Sequence, residues 1–170
     1  MTTGVAMDLE RHGWHRDTGL GGEAMIVGAL RRCHAAYSRG DFDQAATVLH
    51  RDVELLRAGG QPAIRGVEAV RAWMEPDAFS DQVLEPVDVW VAGYKALLRI
   101  RARARGATSG MWLAFEVWSV WTFDAFGMAI RNEIYLGHQE SEARTAAGFV
   151  DRSAPLHWHR LSEDLALDQR

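Results

Sequence analysis

The sequence predicts an α+β fold: a cone made of a curved antiparallel sheet with helices on its concave face. Three observations predict it. Ala36 to Gly66 (AYSRGDFDQAATVLHRDVELLRAGGQPAIRG) reads as helix, tight turn, helix, strand and a glycine-bounded entry to another helix. Trp121 to Gly148 (WTFDAFGMAIRNEIYLGHQESEARTAAG) reads as a strand hairpin followed by a short helix. Between them lie long runs in which apolar and polar residues alternate, the period of strands with two unlike faces.

Residues 1–21 are polar and glycine-rich, and are expected to form an arm outside the core. From Glu23 to Ser38, Ile26, Ala29, Leu30, Cys33, Ala36 and Tyr37 recur at helical spacing and define one inward face, with His34 expected to point elsewhere. Gly40 stops this helix, and Asp41 caps the next, Phe42 to Leu49. Val53 to Arg57 is a short strand and Gly59-Gly60 a turn. Gly66 opens a helix that runs through Met74 and is ended by Pro76.

Four strands follow: Val83 to Val91, Lys95 to Arg105, Met111 to Phe123 and Met128 to Leu136. The last three are expected to be antiparallel neighbours, joined by the turns GATS and DAFG. Glu140 to Ala147 closes as a helix capped by Gly148. The domain is thus expected over 22–148, followed by a tail, 149–170, with one weak helical stretch.

Composition limits the function classes. The 170 residues suit one domain with a real core. At 48% hydrophobic and 25% charged, the chain has an ordinary globular composition. A net charge of −4 offers no basic surplus for nucleic acid. No apolar run approaches a membrane span, so no membrane association is expected. Cys33 is the one cysteine, which rules out an internal disulfide and suits a cytoplasmic protein. Seven tryptophans point to an aromatic interior or interface.

Alternation assigns the sheet's two faces. Leu98, Ile100, Ala102 and Ala104 share a face with Met111, Leu113, Phe115, Val117, Ser119 and Trp121 of the next strand. Symmetric turns would set Ser119 opposite Asn132, Trp121 opposite Ile130, Arg99 opposite Glu116 and Arg103 opposite Trp112. The inner face is then apolar except for Ser119 and Asn132. The outer face carries Arg99, Arg101, Arg103, Trp112, Glu116 and Trp118. It is either a solvated face or, since Arg and Trp are enriched at interfaces, the seam of a homodimer formed through the sheet; the exposed tryptophans favour the dimer.

The ordered set helix–GD turn–helix–strand–GQPAIRG–helix–four strands, ending in DAFG…IYLGHQESEARTAAG, resembles the SnoaL-like branch of the nuclear-transport-factor-2-like superfamily over roughly Glu23 to Gly148. The resemblance implies a cystatin-like cone, often dimeric. Its relatives include ketosteroid isomerase, polyketide cyclases and limonene epoxide hydrolase. It also implies positions for working groups. With GQPAIRG as anchor, the general-base aspartate of ketosteroid isomerase falls at Arg57, its oxyanion tyrosine at Cys33 and its protonated aspartate at Ser119. The aspartate of the epoxide hydrolase falls at Ile134, and its second-strand candidates are Arg99 and Arg101. None of those mechanisms is carried over intact, and a fold shared this widely names no reaction.

The candidate site is therefore assembled from what remains. Arg57 is either a fixed cation on the pocket wall or an arginine turned to solvent. Ser119 and Asn132 either recognise a ligand oxygen or satisfy each other. With Arg57 they are the candidate catalytic contacts. Cys33, Tyr37 and Trp73 from the helices and Val117, Trp121 and Ile134 from the strands complete the expected ligand wall. The expected ligand is a small, largely apolar molecule, polyketide- or terpenoid-like. Any catalysis is expected to be a cofactor-free isomerisation or cyclisation. An acid from the segment holding Asp77, Asp81 and Glu85, or a non-enzymatic partner-binding module, are the alternatives. His12 with His15 and His157 with His159 lack a completing ligand set, so no metal is expected.

Overall fold

The computed structural model describes residues 20–149 and 154–158. Most of the expected arm, the expected helical stretch of the tail, and His12, His15 and His159 lie outside the described residues.

Helix α1 spans Leu20–Ser38. Its inward stripe is buried, with Ile26, Ala29, Leu30, Cys33 and Ala36 each at most 4% exposed. Gly40, at φ 73°, takes the left-handed conformation that reverses the chain. Asp41 then accepts from the Gln44 amide at 3.0 Å as the N-cap of α2, Phe42–Ala46. This helix is shorter than its sequence suggests. Leu49, expected as its last residue, instead starts strand β1, Leu49–Leu56. The β-branched Val48 and Val53 and the apolar Leu49 and Leu55 make that stretch a better strand than helix.

A one-turn helix at Ala58–Gly60 leads to β2, Ile64–Arg65, and then to α3, Val67–Met74. The long strands are β3, Phe79–Ala92; β4, Lys95–Gly106; β5, Trp112–Phe123; and β6, Ala129–Leu136. Helix α4 occupies Glu140–Ala147, and Gly148, in the left-handed conformation, caps it.

The strands form one seven-stranded sheet in the order β2-β1-β6-β5-β4-β3-β7, where β7 is Leu156–His157. The tail is thus not wholly separate, since β7 pairs with β3 at Asp88 and Val89. The sheet is curved and does not close, and it is mixed rather than purely antiparallel, because β1 runs parallel to β6.

Both hairpin registers differ from the symmetric-turn expectation by two residues. Arg99 lies opposite Trp118, Arg101 opposite Glu116 and Arg105 opposite Trp112. Ser119 lies opposite Ile134 and Trp121 opposite Asn132. A shift of two preserves the faces, which is why the inner wall keeps its composition. The connection after β5 is closed by Asp124, whose Oδ1 accepts from the amides of Phe126 and Met128 at 2.9 Å each.

Strand β3 carries a bulge between Pro86 and Asp88. Before it, Gln82 and Leu84 face the partners of the inner wall. After it, Val89 and Val91 do. The extra residue reverses the alternation.

The helices divide between the faces. The main core joins α1, α2 and α3 to the concave side through residues such as Leu30, Val53, Val70, Leu98 and Trp121. Helix α4 packs on the convex side. There Ala143 and Ala147 meet Trp90, Leu97, Trp118 and Val120, and the Arg144 guanidinium stacks 4.7 Å from the Trp90 ring and 5.6 Å from that of Trp118. This corrects one interface expectation: Trp118 is 3% exposed and already covered by its own chain. Arg101, Arg103 and Trp112 remain exposed on that face and Glu116 partly so.

Candidate functional site

A cavity of about 110 Å³ lies between the concave wall and the helices. Helix α1 supplies Cys33, His34 and Tyr37. Helix α3 supplies Val70, Trp73 and Met74. The sheet supplies Val117, Ser119, Trp121, Asn132 and Ile134 from β5 and β6, with Gln82 and Leu84 from β3. The structure thus brings together all the expected wall residues except Arg57. Trp73 is 43% exposed, whereas Trp121 is 5% exposed.

Arg57 is not part of this wall. Its Nη2 donates to the Pro62 carbonyl at 2.9 Å, tying together the turn between β1 and β2. The expectation of a fixed cation on the cavity wall is therefore corrected: the strand ends at Leu56, and the side chain serves the turn that follows.

Ser119 and Asn132 do meet. The Ser119 hydroxyl donates to Asn132 Oδ1 at 2.7 Å, as a diagonal rather than a direct cross-strand pair. Ser119 retains acceptor capacity, and the Asn132 amide retains its N–H donors. Neither is an acid or base.

His34, expected to point away from the inward face, instead lines the cavity. Its signal was present: Leu30, Cys33, His34 and Tyr37 are an i, i+3, i+4, i+7 set, and that set shares one helical face. His34 is 9% exposed, and burial lowers its pKa to about 4. Its ring sits edge-on to Trp121 and to Trp158, with centroids 6.5 and 5.6 Å away. Trp158 follows β7, and its amide donates to the Val87 carbonyl at 3.0 Å, at the β3 bulge.

The electrostatics of the wall are uniform. Among the described lining residues there is no carboxylate, lysine or arginine. Burial pushes the Cys33 thiol up to about 12 and also raises the Tyr37 phenol, with the neighbouring Cys33 adding to the latter. At neutral pH the thiol and the phenol keep their protons, and His34 is a neutral imidazole. The cavity therefore offers dipoles and hydrogen bonds but no charge.

The acids considered as loop-borne alternatives lie elsewhere. Asp77, Asp81 and Glu85 are all exposed. Asp81 is the cross-strand partner of Arg105, and Glu85 that of Arg101. With Asp88 opposite Arg99, β3 sets an acid against three arginines of β4.

This fold and this cavity define a class. The model of the SnoaL-like domain family matches residues 30–131, and the chain belongs to that family. Among solved structures, it is similar to a nuclear-transport-factor-2-like protein of unknown function from Burkholderia pseudomallei, at 18% identity and TM-score 0.61 over 72% of this chain and 97% of that one. It is also similar to an LEH-like epoxide hydrolase from M. tuberculosis, at 16% identity and TM-score 0.56 over 73% of this chain and 92% of that one. A provisionally assigned polyketide cyclase from Sinorhizobium meliloti is 26% identical, with TM-score 0.53 over 63% of this chain and 93% of that one. No curated protein matches the sequence.

Proposed function

We propose that this chain is a SnoaL-like small-molecule protein whose cavity takes a neutral, largely apolar ligand of polyketide or terpenoid type. The carrying observation is the wall itself: apolar side chains enclosing a few convergent polar groups, all of them uncharged. Such a wall disfavours carboxylates and ammonium ions, which would lose hydration without a partner. Its volume suits about one ring, and a larger ligand has to displace the half-exposed Trp73. Any catalysis is a cofactor-free isomerisation or cyclisation that works by positioning and by hydrogen bonds from Ser119, Asn132 and His34. The cyclase assignment of the similar structure from Sinorhizobium meliloti supports that reaction class, and the neutral wall supports the ligand class.

The test is a titration with single-ring and two-ring apolar compounds, read by intrinsic tryptophan fluorescence. Trp73 and Trp121 line the cavity and are the reporters. Saturable binding is expected, and Val117→Phe, which fills the space, is expected to abolish it. If no compound in the series saturates, the ligand reading fails.

A second copy of the chain is the proposed partner. The observation is a pair of exposed apolar side chains among the arginines of the outer face, Val83 and Trp112, 54% and 53% exposed. A patch of this kind is unusual on a monomer. The seam now excludes Trp118 and centres on Arg101, Arg103, Trp112 and Glu116.

A further inference from the structure

Two residues of the cavity wall each carry a buried nitrogen with no protein partner: His34 Nε2 and Trp121 Nε1. Both residues line the cavity, and their rings meet edge to face with centroids 6.5 Å apart. Buried polar groups are nearly always paired, and an unpaired one carries a desolvation penalty that a well-placed ligand atom removes.

The chemistry of the two nitrogens limits what that atom can be. An indole N–H only donates. A neutral imidazole carries one N–H and one lone pair, and burial keeps His34 neutral down to about pH 4. The indole asks for an acceptor, and Nε2 asks for a donor in one tautomer and an acceptor in the other, so a group that can both accept and donate answers both nitrogens in either tautomer. An ammonium only donates. An ether or ketone only accepts, and so answers one tautomer alone. A carboxylate would enter a wall that holds no cation. A hydroxyl does both and is neutral.

On the reading of the cavity given above, we infer that the site takes a hydroxylated single-ring ligand, a phenol or ring enol, whose oxygen accepts from Trp121 Nε1–H and donates to His34 Nε2. The size follows from the volume of about 110 Å³, enough for one ring with its substituent oxygen. The rest of the wall suits the ring itself: Leu55, Val70, Ile100 and Ile134 are apolar, and Trp73 supplies an aromatic face. His34 thereby becomes a ligand-binding residue.

The experiment compares phenol, toluene and cyclohexanone, titrated calorimetrically at pH 7 into the full chain and into His34→Phe. Phenol and toluene differ by a hydroxyl against a methyl, so their affinity ratio isolates the oxygen contact. That ratio is expected to fall about tenfold in His34→Phe, while toluene affinity stays within about threefold. In the unmodified protein, the Trp121 indole N–H resonance, assigned with Trp121→Phe, is expected to lie further downfield with phenol bound than with toluene bound, because both rings lie against Trp121 and only phenol accepts from its N–H. This second readout holds even if His34→Phe does not fold.

An unchanged phenol-to-toluene ratio, a Trp121 resonance no further downfield with phenol than with toluene, or tighter binding of cyclohexanone than of phenol would each overturn the inference. If toluene binds but phenol gains nothing from His34, only the hydroxyl site is lost. If none of the three binds, the small-molecule reading of the cavity falls with it.

Discussion

Asp88 accepts hydrogen bonds from both Nε and Nη2 of Arg99, at 2.8 and 2.5 Å, while its other carboxylate oxygen lies 2.9 Å from His157 Nδ1. Asp88 is 5% exposed, so this carboxylate is held almost entirely by its partners. It joins three strands at one point: β3 holds the acid, β4 the arginine and β7 the histidine. Glu116 of β5 reaches the same guanidinium at 3.5 Å.

Removing the acid should therefore cost more than a surface pair would. Asp88→Ala leaves a half-buried arginine without its main partner, and about 2–4 kcal/mol of stability should be lost, measured by urea denaturation. His157→Ala should act locally. Expected is faster hydrogen exchange at the Trp158 amide, with global stability changed by under about 1 kcal/mol. Equal losses from both variants would show that the β7 contact is not separable from the core.

Stability should fall in two stages with acidification. Burial by itself would raise the Asp88 carboxyl, but the hydrogen bonds and charges of Arg99 and His157 outweigh it and hold the group below its ordinary 3.8. A depressed carboxyl stabilises above its unfolded value, so this contribution is lost as pH falls below about 4. His34 acts earlier. Its folded value of about 4 lies under the unfolded 6.5, so the unfolded chain binds the proton first. Between pH 6.5 and about 4, stability should drop by about 3 kcal/mol on this account. In His34→Phe the curve should be flat across that window, as measured by thermal or urea melts at half-unit pH steps.

The Cys33 thiol should be inert. It is 4% exposed and burial pushes it up to about 12, so almost no thiolate exists at pH 8. Ellman's reagent should give no release from the native protein and one equivalent after denaturation. Rapid reaction of the native protein would mean that the cavity opens far more often than its packing suggests.

The proposed dimer seam can be tested without touching the cavity. Arg103 lies over the Trp112 ring at 5.3 Å, and both are exposed. Light scattering of the unmodified chain should give the mass of a dimer. The double change Arg103→Glu, Trp112→Ala should give a monomer with phenol and toluene binding unchanged. A wild-type monomer would leave Val83 and Trp112 on the outer face without a second copy of this chain to cover them.

How far these features could be read beforehand depends on where the physics was local. The run Leu98 to Arg105 alternates so regularly that its faces could be assigned from sequence, and the structure keeps them. Register was less legible, because it depends on turn geometry, including an Asp124 side chain that closes one hairpin. The side of the sheet taken by α4 was not legible either. Its short alanine-rich face fits either surface, and the choice is made by Trp90, Trp118 and the stacked Arg144. Arg57 followed a family position, but a carbonyl five residues onward claimed it. His34 followed helical spacing, and its polarity disguised a buried position.

The bulge at Pro86–Asp88 also governs how this chain tolerates change in length. Val87 is the one residue there without a β4 counterpart. Deleting it would splice two half-strands of opposite parity into one continuous ladder. Either Gln82 and Leu84 would leave the cavity, or Val89 and Trp90 would exchange interior and exterior, and Asp88 would leave Arg99. A point substitution in β3 is a local event, whereas a one-residue indel there exchanges the two surfaces of the sheet.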